Sequence, residues 1–204
     1  MKVTIIDYGM CNLRSVQKKL LRIGAEVEIT SDPLQIYEAE KLILPGVGHF
    51  ANGVKNLKES GLWDAINEKV LTRKTPILGI CLGMQLMAKH SEEGDVEGFG
   101  WFDADVVKFQ VKDKLRYKIP HMGWNSTVLH KNSELMAGLS EEAMYYFVHA
   151  YHIVCKNKAD VLCSSEYEYS FTSAVERDAI FGLQFHPEKS HDWGEQIFQN
   201  FIKI

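Results

Sequence analysis

Cys81 lies between two glycines, in the segment Gly79-Ile80-Cys81-Leu82-Gly83, directly after an apolar run at residues 76–80. This G-x-C-x-G spacing is that of a nucleophile elbow, a tight strand-to-helix turn that lifts one side chain clear of the sheet. Glycines are needed there because a Cβ would clash with the neighbouring backbone. Free N–H groups at a helix start also favour the thiolate. On its own the motif still fits either a catalytic nucleophile or a cysteine packed in a tight core.

His186 and Glu188 flank Pro187 at the end of another predicted strand, residues 180–186. A thiol nucleophile needs a general base, and the base needs a group that orients it. Side chains two residues apart point the same way in an extended chain, and a following proline favours that conformation. Alone, this segment would be a solvated turn. Together with the elbow, it predicts a Cys81–His186–Glu188 triad, a set recognised by roles and not by chain order.

The segment Leu44-Pro45-Gly46-Val47-Gly48 follows a third short apolar run. Acyl transfer develops a negative oxygen that preorganised backbone N–H groups must meet. Gly46 and Gly48 permit the unusual φ angles that would aim such groups at a neighbouring thiol. An ordinary turn between a strand and a helix fits these residues equally well, so the pattern leaves both interpretations open.

The elements around these motifs predict an α/β fold, a mainly parallel doubly wound sheet with flanking helices. Short apolar strands alternate with amphipathic helices through residue 90. The predicted strands cover residues 3–7, 26–30, 41–44 and 76–80. The predicted helices cover residues 12–23, 50–59, 62–72 and 82–90, and Asn12 caps the first of them. All three motifs then fall at carboxyl ends of strands, where such sheets place their sites.

Beyond a polar, glycine-rich loop at residues 91–100, the pattern indicates additional antiparallel strands in the C-terminal half. Alternating segments cover residues 102–109, 145–154, 171–176 and 180–186, and a closing helix covers 190–204. Trp193 and Ile197 fall on one apolar face of that helix with Phe198 and Phe201. With no repeat or linker, we expect one domain over residues 1–204.

Composition excludes several classes of function. The 204 residues carry a net charge of −4, so no basic field points to nucleic acid or to an anionic membrane. The apolar run at the N-terminus is too short for a signal peptide core or a membrane span, which predicts a cytoplasmic protein. The four cysteines fit no zinc spacing. We therefore expect neither a metal site nor a cofactor.

Taken together, these motifs resemble those of class I, triad-type glutamine amidotransferases. Within that family, the details are similar to glutaminase subunits of imidazole glycerol phosphate synthases, which serve histidine biosynthesis. The segments that carry this resemblance span most of the chain: Asp7-Tyr8-Gly9 with Asn12-Leu13, Pro45-Gly46-Val47-Gly48, Gly79–Gln85, His121-Met122-Gly123-Trp124-Asn125, Tyr146-Phe147-Val148-His149 and Gln184–Ser190.

The resemblance implies a reaction and a set of roles. Cys81 would attack the side-chain amide of glutamine, His186 would shuttle protons, and Glu188 would orient His186. Ammonia would pass to a (β/α)8-barrel cyclase, the other subunit of a heterodimer. The resemblance further assigns three groups of residues: an oxyanion hole from the backbone of Gly48 and Leu82, substrate binding at Gln85, His149, Ala150 and Tyr151, and a partner interface at Asn12, Trp124 and Lys189.

Two departures from the family pattern bear on the choice of partner. Cys11 stands where a glycine is usual, beside Asn12, and Ala150 stands where a small hydroxyl residue is common. A paralogous glutaminase that feeds another ammonia-using synthase, as in surface-sugar amidation, therefore stays an alternative. A stand-alone cysteine hydrolase of the same fold and a non-catalytic binding module are the others. Trp124 argues against the stand-alone hydrolase, and the complete triad argues against the binding module.

Overall fold

The computed structural model describes residues 2–204, which form fourteen strands and six α-helices. The helices are α1 (Leu13–Arg22), α2 (Pro33–Glu38), α3 (Phe50–Glu59), α4 (Leu62–Asn67), α5 (Leu82–Gln85) and α6 (His191–Lys203). The strands are β1 (Lys2–Ile6), β2 (Glu26–Thr30), β3 (Leu42–Gly46), β4 (Ile77–Cys81), β5 (Ala88–Ser91), β6 (Val96–Glu97), β7 (Phe102–Lys108), β8 (His121–Ser126), β9 (Val128–Leu129), β10 (Met144–His149), β11 (Tyr151–Cys155), β12 (Val161–Tyr167), β13 (Tyr169–Arg177) and β14 (Ile180–Leu183).

The strands of the parallel half lie in the order β2-β1-β3-β4-β14. The last of these comes from the far end of the chain, and its Leu183 pairs with Ile80 of β4. The residues that follow the two strands therefore emerge side by side at one edge. This topology brings the His186 segment to the Cys81 segment.

Apolar side chains alternate between the two faces of the parallel half, as expected for strands covered on both sides. Ile6, Leu42 and Leu44 share a core with α2, α3 and α4. Val3, Ile5 and Leu78 share the opposite core with α1 and α6. The doubly wound arrangement predicted from the sequence is confirmed.

Strands that pair mainly antiparallel extend the sheet beyond β14, as the alternating pattern of the C-terminal half predicts, and β5 alone runs parallel to its neighbour β7. The order continues β14-β13-β11-β7-β5-β6, and β12 joins both β13 and β9. A separate two-stranded ribbon of β8 and β10 lies beside it, with Trp124 opposite Tyr146. Hydrogen bonds from His186 N to Tyr146 O (2.9 Å) and from Tyr146 N to Ser190 Oγ (3.0 Å) tie this ribbon to the triad segment.

Three predicted boundaries are wrong. The strand expected over residues 180–186 ends at Leu183, and in the other two cases tertiary pairing decides. The helix expected over residues 82–90 ends at Gln85, because Ala88–Ser91 pairs with β7 instead. Residues 82–88 are all buried, so they offer no polar face to a longer surface helix. The strand expected over residues 145–154 is two strands in different sheets, separated at Ala150.

Smaller differences concern helix ends and faces. Asn12 occupies the N-cap position of α1, but its side chain makes no capping hydrogen bond and is exposed. Helix α2, which begins at Pro33 behind the capping side chain of Asp32, was not predicted. Trp193 is 37% exposed and does not share the buried face of α6 with Ile197.

Candidate active site

The turn at Cys81 is the elbow that the glycine spacing predicts. A Cβ on Gly83 would lie 1.7 Å from the carbonyl oxygen of Leu44, and one on Gly79 would lie 2.8 Å from the backbone of Gly83. Cys81 itself has a φ of 55°, a left-handed conformation that costs a cysteine about 1–3 kcal/mol. The neighbouring strands thus hold the Cys81 backbone in a conformation that an unfolded chain avoids, and the thiol lies at the edge of the sheet.

His186 and Glu188 form a buried pair next to Cys81. His186 Nδ1 lies 2.7 Å from Glu188 Oε1, and both side chains are almost inaccessible to solvent. Burial lowers the pKa of His186, but the adjacent Cys81 thiol and the Glu188 carboxylate outweigh it and raise that pKa to about 10. The Nε2 atom makes no hydrogen bond of normal geometry within residues 2–204. It is the ring nitrogen available for proton transfer.

Two glutamines connect the thiol to the far wall of the site. Gln184 Nε2 lies 3.6 Å from Cys81 Sγ, and Gln184 Oε1 accepts a hydrogen bond from Gln85 Nε2 (3.0 Å). Gln85 Nε2 also donates to the carbonyl of Tyr151 (3.1 Å). The predicted substrate residue Gln85 is therefore tied into the frame around the sulfur. Gln184 was missed, although it lies in the same motif as His186.

A cavity of about 360 Å³ opens in front of Cys81. Its size is in the range of small-molecule sites. Its lining includes every predicted oxyanion and substrate residue: Gly48, Leu82, Gln85, His149, Ala150 and Tyr151. Glu93 lines it too, and its Oε2 accepts a hydrogen bond from the Phe50 N–H (2.7 Å). Glu93 was missed because it sits in an acidic, glycine-rich stretch that is typical of a solvated loop.

The imidazole of His149 is engaged with protein on both nitrogens. Its Nδ1 lies 2.7 Å from the carbonyl of Tyr151, which can only accept, so Nδ1 carries the proton. Its Nε2 then accepts from Nδ1 of His121 (3.1 Å). Burial lowers the pKa of His121 to about 4 and that of His149 well below its usual value, so both rings are neutral. The hydrogen bonds of the His149 ring fix the conformation of residues 149–151. With the ring engaged in this way, these residues present mainly main-chain groups to the cavity.

The predicted oxyanion segment is held by a backbone hydrogen bond to the loop that follows β1. The N–H of Val47 donates to the carbonyl of Met10 (2.7 Å), and Gly48 has a φ of +110°. Leu82, by contrast, is the first residue of α5, where N–H groups have no partner within the helix. The Leu82 N–H is thus available for one side of an oxyanion hole, whereas the Val47 N–H of the other segment is engaged with Met10.

The three predicted interface residues lie outside the cavity and are exposed. Trp124 is 44% exposed and stacks on His191, with ring centroids 5.0 Å apart. Lys189 Nζ lies 5.3 Å from the ring of Tyr146, which also contacts Trp124. Asn12 precedes α1, the helix that contacts the turn at Pro187–Lys189. Asn12 and Lys189 follow β1 and β14 at the sheet edge where Cys81 emerges, and Trp124 lies on the adjoining ribbon of β8 and β10.

Two kinds of feature do not occur in residues 2–204. No group of three or more His, Cys, Asp or Glu side chains is arranged to hold a metal ion in this range. No helix in the same part of the chain has the length and hydrophobicity that a membrane span requires.

Known proteins resemble this chain over its whole length. Imidazole glycerol phosphate synthase subunit HisH 2 of Methanococcus maripaludis is 50% identical over 201 residues, which cover 98% of each chain. The protein of the same name from Pseudomonas aeruginosa is 45% identical over 202 residues and 99% of each chain. The crystal structure of a glutamine amidotransferase has a TM-score of 0.74 at 18% identity. It covers 98% of this chain and 97% of that one, a likeness of fold.

The description of the family model that matches residues 4–204 is glutamine amidotransferase class-I. With the two full-length relatives, this match establishes that the chain belongs to the class I glutamine amidotransferase family.

Proposed function

We propose that this protein is the glutaminase subunit of an imidazole glycerol phosphate synthase in histidine biosynthesis. The observation that carries the proposal is the identity of 42–50% to curated subunits of that name over almost the entire chain. The cavity in front of Cys81 and the buried His186–Glu188 pair support the same chemistry. Cys81, His186 and Glu188 form the catalytic triad.

In the first half of the reaction, the Cys81 thiol has given its proton to His186 Nε2, and the resulting thiolate attacks the amide carbon of the glutamine side chain. The carbonyl oxygen becomes negative and is met by the N–H groups of Leu82 and Gly48. His186 Nε2 transfers a proton to the departing nitrogen, which leaves as ammonia. The raised pKa of His186 keeps it protonated for this step at neutral pH. Glu188 holds the opposite ring nitrogen and stabilises the charge on the ring.

In the second half, water adds to the thioester after His186 Nε2 takes its proton. The tetrahedral intermediate collapses to glutamate and releases the Cys81 sulfur. Residues 149–151 and Gln85 hold the substrate against the thiol, largely through main-chain groups of the loop that His149 stiffens. Glu93 is the carboxylate of the cavity wall, and its charge suits the α-ammonium group of an amino acid substrate.

Ammonia in water is largely protonated and unreactive as a nucleophile, so a synthase partner must take it directly. We propose a (β/α)8-barrel cyclase as that partner in a heterodimer, docked on the face of Asn12, Trp124 and Lys189. The exposed, stacked Trp124 supports this docking face, because exposed aromatic side chains are enriched in interfaces. The partner would also favour a turned state of the 46–48 segment, in which the peptide between Gly46 and Val47 rotates so that the Val47 N–H leaves Met10 and faces the thiol.

Co-purification with a histidine-pathway cyclase, followed by glutamate-release assays with and without it, tests this function. Glutamine hydrolysis should rise in the complex, and Cys81→Ala should abolish it. The same variant should retain synthesis driven by ammonium salts, because the cyclase site is untouched. Glutamate release by Cys81→Ala near the wild-type rate would remove Cys81 from the mechanism.

A second candidate is a paralogous glutaminase that serves a different ammonia-using synthase. Cys11 beside Asn12 favours it. The names of several relatives end in a numeral, HisH 1 or HisH 2, which fits organisms that carry two such subunits. The two candidates share all the chemistry above and differ only in the partner. Titration of the protein with cyclases from both types of pathway separates them, because only the true partner should both bind and stimulate glutamine hydrolysis.

A further inference from the structure

The hydroxyl of Tyr8 is buried beside the oxyanion segment without a hydrogen-bond partner. Tyr8 follows β1 and is 4% exposed, and its Oη makes no hydrogen bond within the described residues 2–204. Unpaired buried polar atoms are uncommon in folded proteins, and each one calls for an explanation. Nothing in the triad or in the cavity lining uses this group.

The position of this hydroxyl points to the peptide that joins Gly46 to Val47. A Cβ built on Gly46 would lie only 2.1 Å from Tyr8 Oη, so the hydroxyl packs against the Gly46 Cα. Burial raises the pKa of Tyr8 well above its usual value, and the thiols of Cys11 and Cys81 add to this effect. The hydroxyl therefore keeps its proton and acts as a donor.

The same peptide is fixed by the hydrogen bond from Val47 N–H to the carbonyl of Met10 (2.7 Å). If the peptide turns so that the Val47 N–H faces the thiol, the Gly46 carbonyl moves to the former position of that N–H. The Gly46 carbonyl then faces the Met10 carbonyl, and the two oxygens repel each other. The turned peptide therefore needs a hydrogen-bond donor for the Gly46 carbonyl.

We propose that Tyr8 is a positioning residue that donates a hydrogen bond to the Gly46 carbonyl in the turned state. The hydroxyl has no partner in the resting protein and gains one when the Val47 N–H joins those of Leu82 and Gly48 around the oxyanion. The equilibrium between the two states is thereby shifted toward the active one. This inference rests on the proposed glutaminase function and adds Tyr8 to its machinery.

Tyr8→Phe removes the hydroxyl and keeps the ring, so it isolates this one interaction. We expect kcat for glutamine hydrolysis to fall about fivefold to tenfold, which is the effect of one hydrogen bond. KM should stay unchanged, and the free energy of unfolding should stay equal or rise, because an unpaired hydroxyl is lost. Thr4→Val is the matched control, since Thr4 Oγ1 is another unpaired buried hydroxyl near the start of the chain. It should leave kcat unchanged.

The population of the turned state can also be measured without a partner. NMR relaxation dispersion at the Val47 amide of the free protein should show a minor state that Tyr8→Phe depopulates by the same factor. A wild-type kcat in Tyr8→Phe, or a loss of stability without a loss of kcat, would overturn the proposal. Failure of any cyclase to stimulate the wild type would instead count against the proposed function, while the dispersion result would still decide the role of Tyr8.

Discussion

Replacing Glu188 by glutamine keeps the shape of the side chain and removes its charge. In the wild type, its Oε1 lies 2.7 Å from His186 Nδ1 in a site closed to solvent. A charge-assisted hydrogen bond contributes about 1.5–3 kcal/mol, against about 1 kcal/mol for a neutral one. The difference of about 1–2 kcal/mol should lower the pKa of His186, about 10 in the wild type, by roughly one unit.

The assay is glutamate release as a function of pH for wild type, Glu188→Gln and His186→Ala. His186 must be protonated to release ammonia, so the rate should fall on the alkaline side of its pKa. We expect the alkaline limb of kcat/KM to move down by about one unit in Glu188→Gln, with kcat below that limb reduced about 5- to 30-fold, the factor that corresponds to about 1–2 kcal/mol. His186→Ala should lose about 10⁴-fold.

Stability provides an independent reading of the same pair. The pKa of His186 in the folded protein is raised above the unfolded value of about 6.5. The interactions of the protonated ring with Cys81 and Glu188 therefore make their full contribution to stability below pH 6.5. That contribution is lost as the pH rises toward 10. The free energy of unfolding of the wild type should therefore decline across this window, and that of Glu188→Gln should decline less. An unchanged alkaline limb in Glu188→Gln, or a larger loss of activity than in His186→Ala, would refute the reasoning.

Two further predictions concern the thiols and the docking face. Iodoacetamide should label Cys81 before Cys11, Cys155 and Cys163, because burial raises the pKa of those three thiols to about 12. Peptide mass mapping follows the order of labelling, and earlier labelling of any of the three would contradict this prediction. Trp124→Ala should weaken cyclase binding by about 2 kcal/mol in calorimetry while the labelling rate of Cys81 stays unchanged. Leu71→Ala is the control, because this side chain is equally exposed near the opposite edge of the sheet; equal losses in both variants would exclude Trp124 as a docking residue.

The sequence indicates the parallel half and the triad because both depend on local patterns. Short apolar runs between amphipathic helices leave few alternatives to a parallel sheet. The Cys81 elbow depends on glycine spacing within five residues, and the His186–Glu188 pair on spacing within three. From the sequence, only the chemical need of a thiol for a general base places the Cys81 and His186 segments together. In the structure, the pairing of β14 with β4 brings them together, and no local sequence pattern predicts that pairing.

The features that sequence analysis missed depend on contacts between distant segments. The sequence predicts one helix over residues 82–90, and only pairing with β7 ends that helix at Gln85. Gln184 and Glu93 carry no distinctive spacing, and their roles follow from the positions of Cys81 and the cavity wall. The carbonyl of Met10, which holds the oxyanion segment in its resting state, is a backbone group that any residue would supply.

The left-handed backbone at Cys81 has a consequence for how this family can change over evolutionary time. Glycine is the residue that adopts such a conformation without strain, so a Cys81→Gly exchange would relieve strain and delete the nucleophile at once. Selection for stability and selection for chemistry therefore pull this position in opposite directions. A lineage that no longer needs the reaction can drift to glycine here and keep its architecture intact. That this chain carries a cysteine where a glycine would be unstrained indicates selection for the chemistry of the thiol.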